Sequence, residues 1–87
     1  MTTNINIQFK EGAGHIEAIL YRDGNEIEKA SANTSGIITL KMAQADDSIA
    51  ITGVCTGKAS IAIGIPTAPS TPVYYTEGRI NDNFFIL

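Results

Sequence analysis

The chain is 87 residues long, which is enough for one small domain and leaves no room for a second. Hydrophobic residues make up 44% and charged residues 17%, so the composition excludes a disordered or fibrous protein. The formal net charge is −3 and the 6 basic residues are scattered singly, whereas a phosphate backbone requires cations clustered on one face. We therefore expect neither nucleic acid nor an anionic membrane surface as a partner.

The sequence carries no sign of membrane insertion or secretion. No apolar run approaches the ~20 residues that span a bilayer, and the first residues lack the basic and apolar regions of a secretion signal. The one cysteine, Cys55, cannot form an intrachain disulfide, whereas small secreted domains often carry several. These features favour the cytoplasm, unless a signal peptide was removed from the chain.

Alternation of polar and apolar residues dominates the first part of the chain. Residues 4–9 alternate without a fault, which predicts a half-buried strand. Residues 15–22 form a second strand that is partly apolar on both faces and is therefore expected to be central. The following Asp23-Gly24 is typical of a two-residue type I′ turn, which would place Leu20 opposite Ile27.

The next strands are bounded by turn residues. Residues 26–32 are more polar and predict an edge strand, because their charges would discourage pairing with another chain. Residues 33–36 form a polar turn that ends in glycine, and residues 37–42 alternate again as a fourth strand. The stretch over residues 16–40 resembles the repeated prealbumin-like modules of bacterial surface proteins, on its Asp23-Gly24 tip and its turn at residues 33–36. The resemblance implies a fold and no function.

A short motif occurs twice in the middle of the chain. Ser-Ile-Ala-Ile stands at residues 48–51 and again at residues 60–63. A hairpin with a three-residue loop at residues 55–57 would bring Ile49 opposite Ile63 and place all four isoleucines on one face. The opposite face would then carry only small side chains, which are Ala50, Thr52, Ser60 and Ala62.

Three prolines interrupt the pattern before the last strands. Residues 66–72 have proline at every third position, which predicts an extended connection that crosses from one sheet to another. Residues 73–79 return to strand character, residues 81–83 read as a turn, and residues 84–87 close the chain. With turn signals about every 8–12 residues, the pattern predicts an all-β fold over residues 1–87. We expect a small antiparallel β-sandwich of about six to seven strands, immunoglobulin-like or prealbumin-like.

The sequence offers no catalytic apparatus. Nucleophilic catalysis needs a nucleophile, a base and a group that orients the base, but the chain has one histidine, His15, and one cysteine, Cys55. It has no glycine-rich phosphate loop and too few thiol and imidazole ligands for zinc. We therefore expect no enzyme activity and no cofactor. A calcium site remains an alternative if the acidic turns converge in space. These turns contain Asp23, Asp46, Asp47 and Asp82.

Four residues are candidates for binding. Tyr74 and Tyr75 alternate along a strand, so one of them is expected to face outward, where it could stack on a sugar or anchor an interface. At the other end of the same region, alternation would bury Phe84 and turn Phe85 and Leu87 outward. The leading hypothesis is a module that assembles with itself or with a protein partner. The alternative is a carbohydrate-binding domain that uses a surface tyrosine with Asp and Asn side chains from loops.

Overall fold

A computed structural model describes residues 1–87 and contains strands and no helix. The all-β, antiparallel prediction is confirmed. The seven strands are β1 (Thr3–Lys10), β2 (Gly14–Arg22), β3 (Asn25–Ala32), β4 (Gly36–Leu40), β5 (Ser48–Ile63), β6 (Thr67–Ala68) and β7 (Val73–Ile86). They form one sheet that nearly closes on itself. The structure has no helix of the length and apolarity needed to cross a membrane.

The long strand β5 organises the sheet. On one side, β2 pairs with residues 48–55 of β5 and β1 pairs with residues 58–63. On its other side, β7 pairs with almost the whole length of β5. β3 extends the sheet beyond β2, β4 extends it beyond β1, and the short β6 covers only the end of β7. All of these pairings are antiparallel, and the immunoglobulin-like or prealbumin-like connectivity stays a prediction.

The sheet bends where β5 passes through residues 55–58, and this bend divides the sheet into two halves. The pairing shifts register between Cys55 and Lys58, and Gly57 adopts a φ of 70° at this point. We call the part built from β2, β3, residues 48–55 and residues 78–85 the β2–β3 half. The part built from β1, β4, residues 58–63 and residues 73–76 is the β1–β4 half. Their inward side chains form a single core of 17 buried residues, so the two halves face each other across it.

The predicted hairpin at residues 55–57 is wrong. These residues lie inside β5, which continues from Ser48 to Ile63 as one bent strand. All four isoleucines are buried on the inward face, as the hairpin also required. An even sequence spacing keeps residues on one face in either arrangement, because side chains alternate with period two. The pattern could not separate a hairpin from a bent strand.

Three further expectations about strand pairing are corrected by the structure. Leu20 lies opposite Glu28 instead of Ile27, because the β2–β3 pairing contains a bulge next to Tyr21. Residues 81–83, expected to be a turn, continue β7 without interruption. The proline-rich connection does not cross between sheets, since it joins β5 and β7, which are hydrogen-bonded neighbours. The prediction of a two-residue turn at Asp23-Gly24 is confirmed, since both residues have positive φ angles, of 53° and 78°.

An ion pair fixes the end of the molecule opposite to the bend. The Arg22 guanidinium donates from Nε and Nη2 to the buried Asp47 carboxylate, at 2.9 and 2.8 Å, and from Nη2 to the Met42 carbonyl. The Gln44 N–H also donates to Asp47. The hydrogen bonds from Arg22 hold the pKa of Asp47 below its usual value and raise that of Arg22. This ion pair ties the β2–β3 half to the loop that follows β4.

Two side-chain contacts join the halves along their margins. The Glu28 carboxylate on β3 accepts hydrogen bonds from the backbone N–H groups of Lys41 and Met42, just beyond β4. On the opposite margin, the Tyr75 hydroxyl donates to Asp82 across the bend of β7, at 2.8 Å. Burial is the main reason that the pKa of Tyr75 is raised, and the Asp82 carboxylate adds to it. Polar contacts therefore stabilise both margins of the folded sheet.

Candidate functional site

The chain's one histidine and its one cysteine lie on opposite sides of the sheet. Gly14 pairs with Cys55 and His15 with Val54, so the two residues are close in the ladder. Cys55 points inward, is 4% exposed, and its thiol donates to the Thr76 carbonyl. His15 points outward and its ring contacts the Asn33 side chain. Because the sheet separates them, the imidazole cannot activate the thiol as a nucleophile.

The acidic residues of the predicted turns do not converge. Asp23 lies at the tip between β2 and β3, Asp47 is bound by Arg22, and Asp82 accepts from Tyr75 in the middle of β7. No three His, Cys, Asp or Glu side chains are grouped in a way that could hold a metal ion. Asp47 and Asp82 are bound within the fold, and a calcium site shared among the turns has no geometric basis.

An apolar patch lies on part of the outer face of the β2–β3 half, beside the exposed Asn83 of β7. Phe85 on β7 lies level with Ser48 on β5, and Ser48 lies level with Tyr21 on β2. In the next row, Ala50 pairs with Ile19. We define the apolar patch as Ile19, Tyr21, Ala50 and Phe85. Its members come from three neighbouring strands, and their contact with water is greatest at Phe85, which is 58% exposed.

The predicted alternation at the end of β7 is confirmed. Phe84 and Ile86 are buried in the core, whereas Phe85 and Leu87 point away from it. Leu87 is 68% exposed, and its backbone N–H donates to the Pro66 carbonyl. Two of the four candidate binding residues therefore lie at the surface: Phe85 within the apolar patch, and Leu87 two positions further along the chain.

The outer face of the β1–β4 half is mainly polar, with one exposed apolar side chain, Ile37, level with Asn6. Its β1 residues are Asn4, Asn6 and Gln8, which point outward between the buried side chains of the same strand. The Thr39 hydroxyl of β4 donates to the Asn4 side chain, and the Gln8 amide donates to Asn6. Ser60 continues this face on β5, next to Gln8. Amide and hydroxyl groups thus form a hydrogen-bonding surface across three strands.

The two candidate tyrosines have different environments. Tyr74 is 76% exposed and lies in one row with Ser60 and Gln8 on the polar face. Tyr75 points towards the core, is half-buried, and its hydroxyl is bound to Asp82. Of the two tyrosines, Tyr74 is the one that offers its ring to a ligand, which agrees with the expectation that one of the pair faces outward.

A shallow concavity of about 530 Å³ lies beside Tyr74 where the sheet bends. We call it the Tyr74 concavity. Its lining includes Gln8, Ser60 and Thr76, together with Lys10 and Lys58, two residues that the sequence did not single out. Lys10 and Lys58 are 48 positions apart and meet only because β1 pairs with β5. No local sequence signal could have joined them.

Comparison with known proteins adds no identification. No protein family matches the chain, and no curated protein or solved structure shows significant similarity to it.

Proposed function

We propose that this domain is a non-enzymatic interaction module that assembles with a second copy of itself or binds a protein partner. The proposal rests on the exposure of Phe85 and Leu87, which alternate with buried residues of the same segment. Phe85 extends the apolar patch, and covering this surface would remove apolar area from water, which is favourable. Exposed aromatic side chains are also the commonest anchors of protein interfaces.

The shape and margin of the same face support the proposal. Its centre is formed by Ser48, Ala50 and Thr52 of β5, whose short side chains leave room for a flat surface to approach closely. Charged side chains lie around it, with Glu17 on β2 and Lys29 on β3. A charged rim around an uncharged centre is the usual organisation of a protein interface.

The experiment that tests self-assembly is the solution mass, measured by light scattering over a dilution series. We expect a species heavier than the 9.2 kDa monomer at high concentration. Leu87→Asp should shift this species towards the monomer, because a carboxylate in an apolar contact loses its hydration. A wild-type chain that is monomeric at every concentration would overturn self-assembly and leave a protein partner as the target.

Carbohydrate binding is a second candidate function, favoured by the exposed ring of Tyr74 above the Tyr74 concavity. The neighbouring polar groups come from strands, chiefly Gln8 and Ser60, and not from loop Asp and Asn side chains. This function predicts that Tyr74→Ala abolishes retention on a glycan column and leaves the oligomeric state unchanged. Phe85→Ser is the matched control for retention, since it removes an exposed aromatic ring of the same strand that does not line the concavity.

A further inference from the structure

We propose that the Tyr74 concavity binds an anionic saccharide, whose acidic group lies between Lys10 and Lys58 and whose ring packs against Tyr74. The inference rests on the carbohydrate-binding candidate and adds the chemical class of the sugar. The concavity has a volume of about 530 Å³. Small-molecule sites usually enclose about 300–1,000 Å³, so it is large enough for a small oligosaccharide.

The two lysines of the concavity favour an acidic ligand. Lys10 and Lys58 lie directly opposite each other on β1 and β5, and like charges in this position destabilise a sheet. Lysine on an edge strand can prevent aggregation, and Lys10 lies at the end of β1, beyond its pairing with β4. Lys58, however, lies on β5 between β1 and β7, where there is no free edge to protect. An anion between the two ammonium groups would turn their repulsion into attraction.

The fold itself neutralises this charge only weakly. The nearest carboxylate is that of Glu11, 3.9 Å from the Lys58 Nζ. The side chains of Lys58 and Glu11 are 62% and 72% exposed, and an ion pair so open to water contributes little. Lys10 has no ion-pair partner within the chain. Glu11 also lines the concavity, so the two lysines and this one carboxylate leave a net positive charge for a ligand.

The rest of the lining fits a sugar better than a bare anion. In the row next to the lysines, Gln8, Ser60 and Tyr74 lie side by side across three strands. Their amide and hydroxyl groups can exchange hydrogen bonds with sugar hydroxyls, and the exposed tyrosine ring offers a flat apolar face for a pyranose ring. Thr76 adds another hydroxyl beside Lys58. A small inorganic anion can accept hydrogen bonds from these amide and hydroxyl groups, but it leaves the face of the Tyr74 ring unused.

Isothermal titration of the full chain with a set of oligosaccharides tests the proposal. The set contains tri-galacturonate, a glucuronate-containing trisaccharide, a sulfated trisaccharide, the uncharged methyl ester of tri-galacturonate, and sodium sulfate. We expect at least one acidic sugar to bind, and the methyl ester to bind at least about tenfold more weakly than tri-galacturonate if that is the sugar bound. Salt should weaken the binding, because the lysines are exposed.

Variants assign the binding to the concavity. Lys10→Gln with Lys58→Gln should lower the affinity at least about tenfold, whereas Lys29→Gln with Lys41→Gln, which removes the same charge outside the concavity, should not. Tyr74→Ala should also weaken binding. Glu11→Gln should strengthen it, since Lys58 then loses its only competing carboxylate. Circular dichroism of each variant shows whether it is folded.

The possible failures are distinguishable. If the methyl ester binds as tightly as the acid and binding depends on Tyr74, the anionic inference is overturned and carbohydrate binding stands. If sulfate binds as tightly as the sugars and Tyr74→Ala has no effect, the site takes simple anions and the saccharide inference is overturned. If no member of the set binds, both the inference and the carbohydrate candidate are overturned.

Discussion

The two halves of the sheet differ on their outer faces although they share one core. Inward, both contribute buried aliphatic side chains to the same cluster. Outward, the β2–β3 half carries the apolar patch around Phe85, whereas the β1–β4 half carries mainly amide and hydroxyl groups around Tyr74, with Ile37 as its one exposed isoleucine. Core packing explains the inward residues and leaves the outward ones free to vary. The outer faces are therefore where function is to be sought.

The contrast shows that the two sides of the bend expose different kinds of side chain, although both belong to one chain. β5 and β7 pass through both halves, so each contributes residues to both outer faces. On β7, Tyr74 lies on the polar face and Phe85 on the apolar face. A change at the bend should disturb both faces, whereas a change on one face should leave the other intact.

The largest effect is expected from Gly57→Ala at the bend. Gly57 has a φ of 70°, and a Cβ there would collide with the Glu11 carbonyl oxygen. Both the strained backbone and the collision oppose the variant, so we expect a loss of about 3 kcal/mol in the free energy of unfolding. Urea denaturation measures this loss.

Gly24→Ala is the matched control for Gly57→Ala. Gly24 also has a positive φ, of 78°, but a Cβ there meets open space. Only the backbone conformation is penalised, and the cost should be about 1 kcal/mol. Equal losses in the free energy of unfolding would contradict the account. They would show that the Glu11 carbonyl oxygen does not oppose a Cβ at position 57.

A smaller loss is expected from Asp47→Asn at the opposite end. The variant removes the charge that Arg22 contacts with two nitrogen atoms, and it weakens the hydrogen bond from Gln44. Hydrogen bonds to charged groups contribute about 1.5–3 kcal/mol, so we expect a loss of about 2 kcal/mol in urea denaturation. Asp46→Asn is the control, since Asp46 is exposed and should change stability by less than about 0.5 kcal/mol. A similar loss in both variants would argue against the ion pair.

The same ion pair predicts how stability depends on pH. The pKa of Asp47 is lower in the folded chain than in the unfolded chain, mainly because of the hydrogen bonds from Arg22. The stabilisation is therefore complete above the unfolded value of about 4 and is lost as the pH falls through the folded value. In unfolding experiments from neutral pH to pH ~3, Asp47→Asn should lose less stability than the wild type. If the stability of the wild type and of Asp47→Asn falls equally with pH, the ion pair does not have this role.

The smallest effect is a gain in stability from Thr3→Val. The Thr3 hydroxyl is buried and has no hydrogen-bond partner, which makes it the only such side-chain oxygen or nitrogen in the structure. Valine keeps the shape and removes the unsatisfied group, so the free energy of unfolding should rise by about 1 kcal/mol. Thr39→Val on the outer face of the same half removes a hydroxyl that is bonded to Asn4 and should give no gain. A loss in Thr3→Val would show that the hydroxyl has a partner.

Local features of the fold were predictable from sequence because they depend on neighbouring residues alone. Strict alternation places Phe84 inside and Phe85 outside, and Asp23-Gly24 marks a turn whose geometry few other residues accept. The bend in β5 was not predictable in the same way. Both a hairpin and a bent strand bury the repeated isoleucines, and only long-range pairing with β1, β2 and β7 separates the two arrangements.

The candidate sites show the same limit. Tyr74, Phe85 and Leu87 could be chosen from the sequence, since exposed aromatic and aliphatic residues follow from strand alternation. The pairing of Lys10 with Lys58 could not, because it depends on the register between two strands that are distant in the chain. Assigning the tyrosine that faces outward also required the inward contact between Tyr75 and Asp82.

The most direct test of the central claim is the solution mass of Phe85→Ser compared with Tyr74→Ser, each measured by light scattering beside the wild type. Each variant removes one exposed aromatic ring of β7, but from different faces. The account predicts that the wild type and Tyr74→Ser form the same assembly above 9.2 kDa, whereas Phe85→Ser shifts towards the monomer. Equal masses for the two variants, or dissociation by Tyr74→Ser alone, would contradict the assignment of assembly to the apolar patch.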